Sequence, residues 1–214
     1  MSEEPGADTY QGFPNRISRI LLLGIWEVMD ENALDAVLAT ARLTHLAEAL
    51  PPSDFEPGLS FEEMGRLSEA IESIHGIREG RRLLRQAGRV SLQYWMEGFE
   101  RSLGFADFAL RLLPMTFRTR LGMEVMGEVF NRYTGQHVSL RRDGDHYLFV
   151  LDPCGLCRRP QTESPACSFV VGLLEEVLLW FSRGARFQVE ETSCIACGDA
   201  VCTVRVAKKP LDGV

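Results

Sequence analysis

Three things are scarce in this sequence: cysteine outside its last third, long apolar runs, and positive charge. The first 153 residues contain no cysteine. The longest apolar run, residues 20–26, is far shorter than the ~20 residues that a membrane-spanning helix needs. The 23 Lys and Arg residues are outnumbered by 30 Asp and Glu residues, and the net charge is −7. We therefore expect no membrane partner and no nucleic-acid partner, since phosphate binding needs clustered basic side chains.

A secretion signal is missing as well. The first five residues are acidic at two positions and lack the basic and apolar regions of a leader peptide. This predicts a cytoplasmic location, where clustered cysteines are more often metal ligands than disulfides. Three disulfides in a secreted protein are the alternative, and the absence of a leader makes it the weaker one.

The chain is long enough for one domain with a substantial extension. Its 214 residues are 45% hydrophobic and 25% charged, which are ordinary globular values. A stretch rich in proline, serine and glycine at residues 51–59 predicts a linker. We divide the chain into a flexible tail (1–13), a helical N-terminal extension that serves dimerisation (14–59), a main domain (60–206) and a second tail (207–214).

The spacing of apolar residues predicts helices first and strands later. Predicted helices cover residues 14–29, 31–50, 60–74, 78–100, 105–113, 117–133 and 167–182. Ser60 and Glu63 form a capping-box pattern at one helix start. Asp143-Gly144 predicts a hairpin turn, and two more alternating segments follow the last helix. The order indicates an α+β fold: an antiparallel sheet of two hairpins packed against helices, with an α-helical N-terminal extension.

Side-chain direction brings four metal-binding residue types together. In the strand 186–191, alternation puts Glu191 on the apolar face, and a buried carboxylate is costly unless it is paired or bound to a metal. Cys202 is inward-facing in the last strand by the same argument. Cys167 begins the buried stripe of a helix, and Cys194 lies in the loop between the two strands. The set Cys167, Glu191, Cys194 and Cys202 suits tetrahedral zinc, which is the cofactor we predict.

Other ligand sets remain open. Cys154, Cys157, Cys194 and Cys197 form two CxxC pairs with the spacing of a four-cysteine zinc ribbon, but that set leaves the inward Glu191 unpaired. A dinuclear site that uses all six thiols is possible, and so is an iron–sulfur cluster. Zinc is favoured because it suits a structural link between strand, helix and loop.

The C-terminal part of the sequence resembles the 4-vinyl reductase domain family. The resemblance depends on Cys167 before a helix, on Glu191-Thr-Ser-Cys194 at a strand end, on Gly198-Asp199, and on Cys202 entering the last strand. It is close over residues 153–206 and looser from residue 92.

The resemblance implies a compact, usually dimeric α+β fold related to a vesicle-tethering subunit, with zinc beside a hydrophobic small-molecule pocket. In the similar sensor domains of phenol-responsive activators, zinc takes three cysteines and a glutamate, which match Cys167, Glu191, Cys194 and Cys202. Other relatives act in bacteriochlorophyll synthesis near a vinyl-group reduction. This chain departs from the sensor pattern by adding Cys154, Cys157 and Cys197, and it has no ATPase module or DNA-binding helix-turn-helix.

The leading hypothesis is a zinc-containing, dimeric module that binds a hydrophobic, aromatic or tetrapyrrole molecule in a sensory or carrier role. The candidate pocket residues are Tyr94, Trp95, Phe99, Phe105, Phe108, Phe117, Met123, Met126, Phe130, Tyr147 and Trp180. Each of these residues taken alone is more simply a core residue, and only the family resemblance favours a pocket.

Two further functions are considered. One is an accessory factor or enzyme in tetrapyrrole 4-vinyl reduction, and the other is a structural dimerisation protein whose residues 14–50 pack across a dimer. Catalysis has little support, because a GxGxxG fingerprint is lacking and the predicted zinc has no open coordination position. We assign no catalytic residues and expect that the chain is not an enzyme.

Overall fold

The computed structural model of the chain describes residues 11–111 and 113–211, with the backbone alone for residues 98–111. Seven helices lie in this part of the chain: α1 Asn15–Glu27, α2 Glu31–Ala41, α3 His45–Glu48, α4 Phe61–His75, α5 Ile77–Arg111, α6 Met115–Tyr133 and α7 Ser168–Ser182. Six strands accompany them: β1 Gly12–Pro14, β2 Pro57–Ser60, β3 His137–Asp143, β4 His146–Asp152, β5 Phe187–Ser193 and β6 Cys202–Pro210. The predicted α+β class is confirmed.

The larger sheet is antiparallel, with the order β3-β4-β6-β5. Its two hairpins are those predicted from the sequence, and β6 pairs with β4 between them. The first turn differs by one residue from the prediction: Asp143 still pairs with His146, and the loop is Gly144-Asp145, with φ of 50° at Gly144. Glycine adopts this left-handed conformation without a steric penalty.

The predictions for three segments need correction. The helix predicted over 31–50 ends at Ala41, because Arg42 adopts a left-handed conformation with φ of 59°, and the short α3 follows. The two helices predicted over 78–100 and 105–113 form the single helix α5, since an isolated glycine weakens a helix without ending it. The segment predicted as a linker contains β2, which pairs with β1 in a separate two-stranded sheet.

The capping box at the start of α4 is confirmed. The backbone N–H of Ser60 donates to Glu63 Oε2 at 2.8 Å, and the N–H of Glu63 donates to Ser60 Oγ at 3.2 Å. The N–H groups of these two residues would otherwise lack a partner near the helix start. Each is satisfied by the side chain of the other residue.

Close helix packing surrounds α5. A Cβ added to Gly172 in α7 would collide with the carbonyl oxygen of Arg85 in α5, and one added to Gly88 would collide with that of Phe169. A Cβ added to Gly24 of α1 would collide with Ser91 Oγ and with the carbonyl oxygen of Ala87, both in α5. Glycine at these positions lets three helices pack in direct backbone contact.

The apolar residues of the N-terminal helices are buried within the chain itself. Ile17, Leu22 and Ile25 of α1 and Val37 and Leu38 of α2 are all at most 1% exposed. The surplus of apolar surface from which we expected residues 14–50 to pack across a dimer is thus covered inside one chain. In the described part of the chain, no helix is both long and apolar enough to cross a membrane.

Candidate metal site

Both CxxC pairs fold as the same short element. Each forms a 3₁₀ turn, Gly155–Cys157 after β4 and Ile195–Cys197 after β5, with the first cysteine of the pair at the N-cap. The Cys157 N–H donates to the Cys154 carbonyl at 3.2 Å, and the Cys197 N–H donates to the Cys194 carbonyl at 2.9 Å. The turns differ in burial, because Cys157 is buried whereas Cys197 is exposed.

The other two cysteines come from regular elements. Cys167 is the N-cap residue of α7, and Cys202 is the first residue of β6. Cys202, Val204 and Val206 are all 0% exposed, so the predicted inward face of β6 is confirmed. The thiols of four separate segments therefore converge beside the ends of β4, β5, β6 and α7.

Five potential ligand atoms lie within 4.8 Å of one another, which is compatible with one coordination sphere. They belong to Cys157, Cys167, Glu191, Cys194 and Cys202. All four predicted ligands are in this group, and Cys157, which we had taken as an alternate, joins them.

Contacts between sulfur atoms link the thiols directly. The Cys157 Sγ is 2.9 Å from the Cys167 Sγ and 3.4 Å from the Cys194 Sγ. The Cys154 Sγ is 3.1 Å from the Cys167 Sγ, so Cys154 lies at the side of the group. All six cysteines are free thiols. The alternate ligand Cys197 does not join them, because its exposed sulfur lies 3.7 Å from Thr162 Oγ1.

Glu191 reaches the thiols from β5. Its Oε2 accepts a hydrogen bond from the Cys167 N–H at 2.7 Å, whereas its Oε1 is buried without a hydrogen-bond partner. Burial, and next the nearby Cys194, raise the pKa of this carboxyl from 4.5 to about 9. A buried oxygen without a partner is costly, and a bound cation would remove that cost.

Backbone N–H groups point at two of the sulfurs. The Ala166 N–H donates to the Cys194 Sγ at 3.4 Å, and the Ile195 N–H donates to the Cys202 Sγ at 3.2 Å. Contacts with Cys157 and then Cys167 lower the pKa of Cys194 to about 5. For Cys202, Cys154 raises the pKa, but the other three buried thiols lower it further, again to about 5. Cys194 and Cys202 thus favour the thiolate, which is the form that binds metals, whereas contact with Cys154 raises the pKa of Cys157 and of Cys167.

Two ion pairs next to the segment between Cys157 and Cys167 were not predicted from the sequence. Glu72 of α4 is 4% exposed and accepts hydrogen bonds from Arg81 Nε at 3.3 Å and from Arg159 Nη2 at 3.0 Å. Arg159 follows Cys157 by two residues, and Arg81 also donates to the Ser164 carbonyl at 3.0 Å. These contacts fix the segment between Cys157 and Cys167. The sequence signal that could have revealed these ion pairs is Glu72, an acidic residue on the otherwise buried face of α4.

Comparisons with known proteins identify the fold. The sequence matches no protein-family profile and no curated protein. An oxygen-binding H-NOX domain related to soluble guanylate cyclases is similar in structure, with a TM-score of 0.55 and 14% identity over 94% of this chain and 98% of that one. The Fe(II) unliganded H-NOX protein of K. algicida has a TM-score of 0.54 and 13% identity, covering 91% and 98%. A third H-NOX structure, from a study of heme distortion, has a TM-score of 0.52 and 13% identity, covering 92% and 96%.

These matches correct two predictions. The resemblance to the 4-vinyl reductase family is wrong, because the structures that share this fold over nearly its full length are H-NOX domains. Zinc as the cofactor is wrong on the same finding, since those proteins are described with heme and with Fe(II). Identities of 13–14% establish the common fold and no more.

The histidines and cysteines in the described part of the chain do not fit a heme. Heme iron is held by His, Cys, Met or Tyr, and residues 98–112 contain none of the four. His45 and His137 are exposed, and His146 is half-buried at the edge of β4. His75 is half-buried beside a cleft lined by charged residues of α5. The buried sulfurs lie in contact with one another, as between Cys157 and Cys167 at 2.9 Å and between Cys157 and Cys194 at 3.4 Å. We therefore derive no step through a heme.

The predicted pocket residues are dispersed in the fold. Trp95, Met123, Met126, Phe130 and Tyr147 are buried core residues. Tyr94 is half-buried, and its hydroxyl donates to Glu27 Oε2 at 2.9 Å. Phe117 and Trp180 are exposed. The side chains of Phe99, Phe105 and Phe108 lie outside the described part of the chain.

One groove contains a predicted pocket residue. It lies between α5 and α7, has a volume of about 490 Å³, and is lined on its apolar side by Val90, Leu92, Met96 and Trp180. Arg89, Glu97 and Glu176 also line it. An open groove with both apolar and charged lining residues suits an amphipathic or aromatic molecule.

Proposed function

We propose that this chain is a small-molecule-binding sensory module with an H-NOX-like fold, in which a buried thiolate and carboxylate cluster binds a metal ion. The fold supports the first part of the proposal, because structures that share it include an oxygen-binding domain. The cluster supports the second part. Thiolate ligands select soft or borderline ions, and the metal content of the protein would identify the ion.

The observation that carries the metal proposal is the convergence of five ligand atoms within 4.8 Å from four separate segments. Buried thiols packed for apolar reasons alone would not need a carboxylate among them. Here Glu191 enters the group with one oxygen unpartnered. We propose Cys167, Glu191, Cys194 and Cys202 as ligands, with Cys157 as a fifth candidate and Cys154 beside it.

The proposed role of the metal is structural and links the site to the groove. Cys167 caps one end of α7, and Trp180 lies thirteen residues along the same helix, about 20 Å away. A metal bound at Cys167 would join the start of α7 to β5 and β6. The position of the helix, and hence of the groove wall at Trp180, would then depend on the metal site.

Elemental analysis of gently purified protein tests the metal proposal. We expect about one transition-metal ion per chain in the wild type and in Cys197→Ala, and none in Cys194→Ala. The two cysteines belong to the same CxxC turn, so the control differs only in whether the sulfur reaches the cluster. Co²⁺ added to metal-free protein should give intense sulfur-to-metal absorption bands in the control and not in Cys194→Ala.

Two results would contradict the proposal. Metal-free wild-type protein that also fails to bind Co²⁺ would remove the metal site. Equal metal content in Cys194→Ala and Cys197→Ala would move it elsewhere. Ligand binding is tested separately: tryptophan fluorescence should change with small aromatic probes in the wild type, and the response should be lost in Trp180→Phe and in Met96→Glu.

A role in 4-vinyl reduction is not carried further, because it depended on the family resemblance that the comparisons contradict. Homodimerisation remains a prediction and has a structural argument of its own.

A further inference from the structure

Helix α6 has an outward face that the described part of the chain leaves uncovered. The buried side of the helix consists of Thr119, Gly122, Met123, Met126, Gly127 and Phe130. On the other side, Phe117 is 51% exposed and Val125 is 46% exposed, with the half-buried Leu121 between them. Large apolar side chains two turns apart on one helix form a stripe, and such stripes are typical of contact surfaces.

A second row of residues, which shares Leu121 and Val125 with this stripe, has the spacing of a helix-pairing seam. Arg118, Leu121, Val125, Glu128 and Arg132 follow one another at intervals of 3, 4, 3 and 4 residues. This is the a and d pattern by which two helices pack together. None of the five belongs to the buried side of α6.

The order of residues along the seam is self-complementary. In an antiparallel pair of α6 helices centred on position 123, Leu121 lies opposite Val125 of the second copy, and Arg118 lies opposite Glu128 of the second copy. A two-fold axis repeats both pairs, as in an isologous interface. We propose that this face of α6 binds α6 of a second copy of the chain.

The charges that remain unpaired in one chain are those that the pairing joins. Arg118 is half-buried and Glu128 is exposed, and neither has an ion pair among the described residues. The neighbouring charges differ, since Arg120 Nη2 lies 2.6 Å from Glu124 Oε1 on the same helix. Opposite charges across an interface fix its register and orientation.

Aromatic side chains of α7 support α6 from its buried side. The Phe181 ring of α7 fills the space beside Gly122, and the Trp180 ring packs edge-on against it with centroids 4.8 Å apart. The proposed contact between two α6 helices is small for a protein interface, so we expect a dimer that dissociates on dilution. This inference does not depend on the metal proposal.

Sedimentation velocity of the full chain over a range of concentrations tests the interface. Arg118→Glu and Glu128→Arg each place like charges opposite one another and should weaken dimerisation by roughly tenfold or more. The double variant restores opposite charges and should dimerise like the wild type. Val125→Lys should be monomeric throughout, whereas Ile74→Lys, which changes an exposed residue of α4, should be unaffected.

Three results would count against the α6 interface. A wild type that is monomeric at every concentration would overturn the proposal. A dimer unchanged in Val125→Lys would also overturn it and would favour residues 14–59, the region predicted from the sequence. A double variant as weak as the single variants would exclude the antiparallel register. Circular dichroism and metal content, unchanged in all variants, would show that fold and metal site are intact.

Discussion

The cysteine-free part of the chain and its last third both contain fully buried side chains, but the two sets of side chains need different neighbours. Leu67 in α4 and Cys194 after β5 are both 0% exposed. The leucine is stabilised by contact with any apolar neighbour. The thiol lies among other ionisable groups, including a carboxylate with an unpartnered oxygen, and these groups favour a cation. Depth of burial therefore does not indicate whether a region is stable without a ligand.

The largest expected effect is the loss of a buried ligand. Cys202→Ala should remove the bound metal and lower the free energy of unfolding by about 3–5 kcal/mol, because the remaining charged ligands lose their partner. Urea denaturation combined with elemental analysis measures both changes. Cys197→Ala is the control and should stay within about 0.5 kcal/mol of the wild type. Equal stability of the two variants would remove the contrast between the regions.

A core truncation in the cysteine-free part should be costly without affecting the metal. Leu67→Ala leaves a cavity in the packing around α4 and should cost about 2–5 kcal/mol. Its metal content should equal that of the wild type, and its stability deficit should be the same before and after chelation. A deficit that changes with chelation would show that the two regions are energetically coupled.

The pH dependence of the metal-free protein sharpens the comparison. Since burial raises the pKa of Glu191 to about 9, the folded state holds a proton that the unfolded state releases above pH 4.5. The carboxyl thus makes the metal-free protein less stable as pH rises between these values, by at most about 1.4 kcal/mol per pH unit.

Glu191→Gln isolates this contribution, because the cysteines are common to both proteins. The unfolding free energy of metal-free wild type should fall relative to that of Glu191→Gln between about pH 6 and 8. Parallel pH profiles would mean that the carboxyl ionises normally. With metal bound to the wild type, this fall should disappear, since metal binding displaces the proton.

The smallest expected effect concerns the start of α4. Ser60→Ala removes the side-chain acceptor of the Glu63 N–H and should cost about 1 kcal/mol in thermal or urea unfolding. Ser73→Ala, on the exposed side of the same helix, is the matched control and should change little. A larger loss than in Leu67→Ala would contradict the ranking of core packing above capping.

Residue periodicity was enough to predict the fold class, both hairpins and the inward faces of β5 and β6. It was enough because each depends on local spacing: Phe187, Val189 and Cys202 are buried as alternation requires. The register of the first turn was off by one residue, since Asp143-Gly144 and Gly144-Asp145 are both acceptable turn sequences.

Other features depend on contacts that spacing does not encode. The two CxxC turns have the same backbone pattern, yet of their second cysteines Cys157 reaches the cluster and Cys197 does not, and this difference comes from what packs on each turn. The family resemblance was misleading because it rested on a few residues around the thiols, whereas the fold likeness covers 94% of the chain at 14% identity.

The unequal exposure of the two sulfurs of the Cys194 and Cys197 pair provides a natural labelling position. An alkylating dye should react with Cys197 long before the five buried thiols do. A fluorophore attached there would lie two residues beyond the backbone N–H that donates to Cys202, without replacing any atom of the cluster. The native chain thus offers a single-site optical reporter of events in its interior, with no engineered cysteine.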